Sequence, residues 1–282
     1  MSDIVYKNFG FSTPFLCGYK KLKIPIVSAD GAPAWPALFP LDKIEELRQT
    51  VGARHFSAQM MLDFVPPDKA RLDPDGLHFY DEEFEPRTAK ISQHLITGMV
   101  LYWDPSTGRK KRDTSACVLL YRDDKNRTVF IHDILYLVVP DEENYPLSNQ
   151  CDRVLDFMRA RDIRRITIET NGLGIGLPEI MRDVATRRHM NVYVNRVVNN
   201  KPKSERILGA WEPVLSTGRL YAHERIRQTP LLSEMLGFTP LGMTGHDDGL
   251  DAVAGAISAT TIPVRPMGGQ SKIFSANTNF KI

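Results

Sequence analysis

The stretch ITGMVLYWDPSTG, residues 96–108, is an apolar run that stops at an acid. Ile96–Trp103 predicts a strand, since the run is short, apolar and closed by turn residues. Asp104 then falls at the strand's end, above the loop Pro105-Ser106-Thr107-Gly108. An Asp before Pro and Gly also suits a plain turn, so Asp104 alone weighs equally for structure and for chemistry. The device recurs in RRITIETNG (164–172), where Glu169 ends the run Ile166-Thr167-Ile168. A charged residue that continues an apolar strand is uncommon unless it is paired or ligates a metal. A third acidic group opens HDDGLDAVAGAI (246–257), with Asp247, Asp248 and Asp251 at the start of a helix. Asp248 and Asp251 are three apart and Asp247 and Asp251 four apart, so either pair shares a helix face. Asp247 or Asp248 is expected to cap the helix, which leaves Asp251 at the edge of the apolar stripe unexplained by capping. Carboxylates distant in sequence but gathered at one end of a sheet are a means of holding hard divalent cations over a phosphodiester.

The segments between these acids supply the sheet. Ser115–Tyr121 and Thr128–Val138 read as strands joined by the short turn DDKN. An amphipathic helix carries Cys151, Val154, Leu155 and Met158. Then come the strand ending at Glu169, a helix from about Leu177, a strand over Asn191–Val197 and a helix over Ser204–Leu215. Three antiparallel strands, helix–strand alternation and an acid on a late helix define an α/β fold with a central mixed sheet flanked by helices. The glycines of GLGIG (172–176) lack the full dinucleotide-binding spacing and follow several earlier strands, so they predict a flexible strand-to-helix turn. Upstream, residues 22–27 suggest a strand and DGAPAWPALFP a stiff, turn-laden segment. A helix should begin at Leu41 and end by Gly52, with a second short helix through Phe56, Met60 and Met61, and VPPDKARLDPDG should be a loop.

At 282 residues the chain can bury a sizeable core, and 42% hydrophobic with 25% charged residues is the balance of a globular protein. A net charge of +2 conceals basic clusters: Arg109-Lys110-Lys111-Arg112, the arginines at 161, 164 and 165, and Lys201, Lys203 and Arg206. Solvated surface charge accounts for any single cluster; a phosphate-binding face needs such local patches rather than a high total. The three cysteines have neither metal-ligand spacing nor an even disulfide framework, which points to a reducing compartment. No signal peptide and no membrane-spanning run is expected. His246 beside the late acids is a candidate ligand or proton relay, with a plain surface role the simpler reading; Asp113 is a candidate to support the site from behind the ligands.

These motifs together resemble the nuclease domain of the large terminase subunit of tailed bacteriophages, which has an RNase H-like fold. The similarity runs over roughly residues 22–262. It is carried by the proline-rich segment and helix of residues 22–66, by WDPSTGRKKRDTSACVLLY, by ITIETNGLG, by KPKSERILGAWEPVLSTGRLYAHE and by HDDGLDAVAGAI. The resemblance implies residues 1–65 as an extension like the end of the family's ATPase module, 66–262 as the nuclease domain and 263–282 as a flexible tail. One departure stands out: G-x-x-x-x-G-K-[ST] is missing, so the phosphate-cradling loop of the motor is absent. The chain is therefore expected to be a C-terminal fragment or a separate nuclease subunit.

What the resemblance implies is cleavage of concatemeric double-stranded viral DNA in the host cytoplasm, with two Mg²⁺ or Mn²⁺ ions held by Asp104, Glu169 and Asp248 or Asp251, Asp248 favoured and Asp247 nearby. Lys201, Lys203 and Arg206, with Arg109, Lys110 and Lys111, would contact phosphates. The small terminase subunit, the ATPase module and the portal would be partners, and no membrane. Two other readings remain at this stage: a Holliday-junction resolvase or integrase-like strand-transfer enzyme of the same fold, and an inert DNA-docking or assembly module.

Overall fold

The computed structural model describes residues 22–28, 31–51, 56–62, 72–106, 114–139, 143–239 and 247–266. Three strands build the antiparallel centre: β4 (Gly98–Asp104), β5 (Ser115–Asp123) and β6 (Thr128–Leu137). β7 (Arg165–Glu169) pairs parallel with β4, and β8 (Tyr193–Val197) parallel with β7. The order is β6-β5-β4-β7-β8, three antiparallel strands and then parallel ones as expected from the sequence, and the fold is α/β with an RNase H-like mixed sheet. Beyond β6 the sheet continues through β9 (Leu220–His223) to β1 (His78–Tyr80), both parallel additions, while β10 (Ile262–Pro263) pairs with β4. A separate hairpin joins β2 (Lys90–Ile91) and β3 (His94–Leu95).

Helices cover both faces. One face is packed by α4 (Lys203–Leu215) and α6 (Asp248–Ser258), with α5 (Leu231–Gly237) against α6. Trp211, fully buried, donates its indole N–H to the Leu250 carbonyl at 3.0 Å and ties α4 to α6. The other face is packed by α2 (Pro146–Ala160) and α3 (Leu177–Arg187) over Trp103, Cys117, Leu119 and Phe130. The central strands are apolar on both sides because both faces are covered, which is why they read as continuous runs rather than as alternation. A third, small core joins Ile26, Ile44 and Phe56 beneath α1 (Leu41–Val51).

The expected elements form, with shifted ends. The first strand begins two residues late and includes Asp104, since pairing with Ala116 of β5 carries it one residue further. Residues 22–27 make only a bridge from Val27 to Pro33, and the second short helix is a π-helical turn, Phe56–Met60. β1, β9, β10 and α5 had no counterpart in the sequence reading; elements this short leave little periodicity to detect. Most of the expected tail and of the loop at 65–76 lies outside the described residues.

The β5–β6 ladder shifts register between Leu119 and Leu120, where β6 has one extra residue around His132. The bulge lets His132 and Asp133 both meet the α2 side: His132 contacts the Tyr80 hydroxyl at 2.9 Å through Nδ1, and Asp133 pairs with Arg161 at the end of α2. His132 Nε2 donates to Glu83 at 3.0 Å. Burial depresses its pKa to about 4, and His223 beside it is also lowered by burial. Both are therefore held neutral. For His132 the stabilisation is complete above the unfolded value near 6.5 and is lost as pH falls towards 4, a change of about 3 kcal/mol, and His223 acts in the same direction. Urea unfolding at pH 7.5 and pH 4.5 checks this: His132→Gln should flatten the acid limb.

Candidate functional site: an acidic cluster at the strand ends

Parallel pairing sets Tyr102 beside Thr167 and Trp103 beside Ile168, so one step further Asp104 stands level with Glu169. The 3-10 turn Gly172–Gly176 folds back beneath this point, and a Cβ at Gly174 would lie 2.2 Å from the Glu169 carbonyl oxygen. Only glycine allows that approach. Across the strand ends, the first turn of α6 brings in Asp251, and its positive N-terminal dipole favours acids there.

Glu169 is buried and held on all sides. Its Oε2 accepts from the Tyr102 hydroxyl and from Asn199 Nδ2, both at 2.8 Å, and Arg206 Nη1 donates to Oε1 at 3.1 Å. The same guanidinium grips Asp251, Nε to Oδ1 at 2.8 Å and Nη2 to Oδ2 at 2.5 Å. Lys203 Nζ lies 2.6 Å from Asp247 and 3.6 Å from Asp251. Arg206 thus bridges a strand-borne and a helix-borne acid, and Lys203, one helical turn away, stands beside Asp251 and Asp247.

The electrostatics follow from burial and like charge. The Asp104 carboxyl is raised well above the usual range, by burial first and then by Glu169 and Asp251, against the pull of Lys203 and Arg206. Asp251 is raised by burial, partly offset by Arg206 and Lys203. The Tyr102 hydroxyl is pushed up by burial and by Glu169, so it stays protonated as a donor. Burial works against the charge of Lys203 and of Arg206, yet their carboxylate partners raise both on balance. Among the described residues no set of three or more His, Cys, Asp or Glu side chains is spaced to hold a metal ion in this arrangement. The donors are nonetheless all hard carboxylate oxygens, the set that suits Mg²⁺ or Mn²⁺, and the two cations occupy the space between them.

Asp248 is also buried, and its Oδ2 accepts the Thr114 N–H at 2.8 Å at the start of β5. Asp247 holds the N-cap position of α6 but makes no capping bond; its carboxylate pairs with Lys203 instead. The expected cap is supplied from α5: Glu234, buried, accepts the Leu250 N–H at 3.0 Å. Burial raises its pKa to about 7, against the Leu250 bond. Gly249 allows this packing, since a Cβ there would lie 1.9 Å from the Tyr136 hydroxyl and 2.8 Å from Glu234 Oε2. Gly249→Ala should cost about 1–3 kcal/mol by overpacking, read from chemical denaturation.

The structure therefore brings Asp104, Glu169 and Asp251 together and adds Asp247 and Asp248 along α6. Lys203 and Arg206 reach inward to these acids, while Lys201 is exposed. Asp113, His246, Arg109, Lys110 and Lys111 lie outside the described residues. Tyr102, Asn199 and Glu234 escaped the sequence reading. Tyr102 had a usable signal, lying two residues before Asp104 and so on the same strand face; Asn199 and Glu234 had none.

The site and sheet define an α/β protein with an acidic centre at its strand ends. No protein-family model matches the chain, and no curated protein matches it. Among solved structures it is similar to the nuclease domain of the P22 large terminase, at 12% identity and TM-score 0.46 over 68% of this chain and 93% of that one. It is similar also to the nuclease domain of the large terminase of bacteriophage SPP1 with bound Mn, at 14% and 0.41 over 66% and 97%. RuvC of T. thermophilus with a Holliday junction substrate gives 12% and 0.33 over 59% and 99%. The fold stated above rests on strand order and register, not on these likenesses.

Proposed function

We propose that the protein is a metal-dependent endonuclease acting on double-stranded DNA. The observation that carries this is the placing of Asp104 and Glu169 at neighbouring strand ends with Asp251 on a helix beside them, Arg206 bridging Glu169 and Asp251. Asp104, Glu169 and Asp251 would hold two Mg²⁺ or Mn²⁺ ions, with Asp248 the alternative late ligand. When bound, such ions lower the pKa of an attacking water and neutralise the leaving oxygen. The chain's own residues do the rest. Tyr102 and Asn199 fix the rotamer of Glu169 through its Oε2, the kind of outer hydrogen bonding that orients a ligand. Arg206 and Lys203 hold the carboxylates together without metal, and are placed to turn to DNA phosphates once those carboxylates are otherwise neutralised. Lys201 binds phosphate from the surface, which gives affinity without sequence choice.

The motif resemblance supports the finer reading: the nuclease of a phage large terminase, working in the host cytoplasm on concatemeric DNA with the ATPase module, the small subunit and the portal. Residues 66–262 would form the nuclease, 1–65 the extension toward the ATPase and 263–282 the tail. Supercoiled plasmid incubated with Mg²⁺, Mn²⁺ or EDTA tests the activity. Nicking and linearisation in either metal, lost in EDTA, are expected. Folded protein that leaves the plasmid intact in both metals would refute the reading, and a preference for four-way junctions over linear duplex would turn it to a resolvase.

A further inference from the structure

Beside Glu169 the surface opens into a cavity of about 550 Å³, within the range of ligand sites. Thr170, Asn171 and Gly172 line it from the end of β7, and Ile175 and Val198 supply its apolar lining. These two stand 67% and 61% exposed, apolar surface that folding leaves uncovered. The GLGIG turn is thus more than a connection: it sets Ile175 outward in the groove. Arg196 and Asn200 complete the lining, which contains no carboxylate. Arg196 pairs with Glu179 on α3, and exposed Lys201 follows Asn200 in the chain. Apolar walls and amide groups in a lining without a carboxylate complement a polyanion that carries flat apolar rings.

The groove is also in register with the acids. Asn171 Nδ2 donates to the Asn199 carbonyl at 2.6 Å, and the Asn199 N–H returns to Asn171 Oδ1 at 3.1 Å. Asn199 Nδ2 in turn donates to Glu169. A ligand seated over Asn171 is therefore fixed relative to Glu169 through two side chains. We infer that this groove takes a nucleobase of the DNA strand next to the cleaved phosphate, with Ile175 and Val198 packed against the base and Asn200 at its polar edge. Apolar side chains inserted at base steps beside Asn and Arg are a known mode of DNA contact. The inference rests on the nuclease reading and names a substrate contact for that site.

Fluorescence anisotropy with a short labelled duplex in Ca²⁺, across a salt series, tests it on the full chain. The double variant Ile175→Ser/Val198→Ser should bind about tenfold more weakly. Its slope of log affinity against log salt should equal that of the wild type, because apolar base contacts release no counterions. Leu236→Ser, a site 70% exposed on α5, serves as the surface control and should bind as the wild type does. Unchanged affinity in the double variant, or a shallower salt slope, overturns the groove. If the wild type cuts plasmid while the variant's affinity is unchanged, only the groove falls. A wild type that neither binds duplex nor cuts plasmid removes the nuclease reading and the groove together.

Discussion

Asp104→Ala is expected to lower metal-dependent plasmid cleavage by on the order of a thousandfold, equivalent to about 4 kcal/mol of transition-state stabilisation. Burial first, and then Glu169 and Asp251, oppose the ionisation of Asp104, so a cation has much to gain there. The metal-free fold should not suffer. A carboxyl raised above its unfolded pKa costs stability as pH rises through that value, so its removal relieves the cost at neutral pH. Cleavage assays with parallel thermal melts separate the outcomes: a variant that melts no lower yet fails to cut supports a ligand role. Retained cutting in Mn²⁺ refutes it.

Arg206→Ala should produce the opposite pattern. Its guanidinium is the shared partner of Glu169 and Asp251, two buried carboxylates that lose their nearest cation with it. Breaking such a buried pair from one side costs about 3 kcal/mol. Burial already raises the Asp251 carboxyl, so the loss should grow as pH rises and forces that group to ionise, and shrink in acid. Mn²⁺ should restore more stability to the variant than it adds to the wild type, where Arg206 must first be displaced. Thermal shifts with and without Mn²⁺ measure this directly; equal shifts in the two proteins would mean that Arg206 does not compete for the metal's place.

The central sheet was legible because its strands are unbroken apolar runs, Asp104 and Glu169 ending two of them, and the succession of three antiparallel strands and then parallel ones followed from their spacing along the chain. The outlying strands β1 and β9 were not, being three and four residues long. At the site, the strand-borne acids were apparent as charges at the ends of buried runs. What escaped was pairing. Nothing in KPKSER shows that Lys203 and Arg206 turn inward, because an i, i+3 basic pair on a helix fits solvent and carboxylate equally well. Nor does the sequence reveal that the cap of α6 comes from Glu234, since that contact depends on how α5 packs and not on local sequence.

The indole bond from Trp211 to the Leu250 carbonyl has a mechanical meaning. It joins the helix that carries Lys203 and Arg206 to the helix that carries Asp248 and Asp251, so a pull on one is transmitted to the other. Cations and acids are thereby geared together, so that displacement of either helix moves Lys203, Arg206, Asp248 and Asp251 as one body.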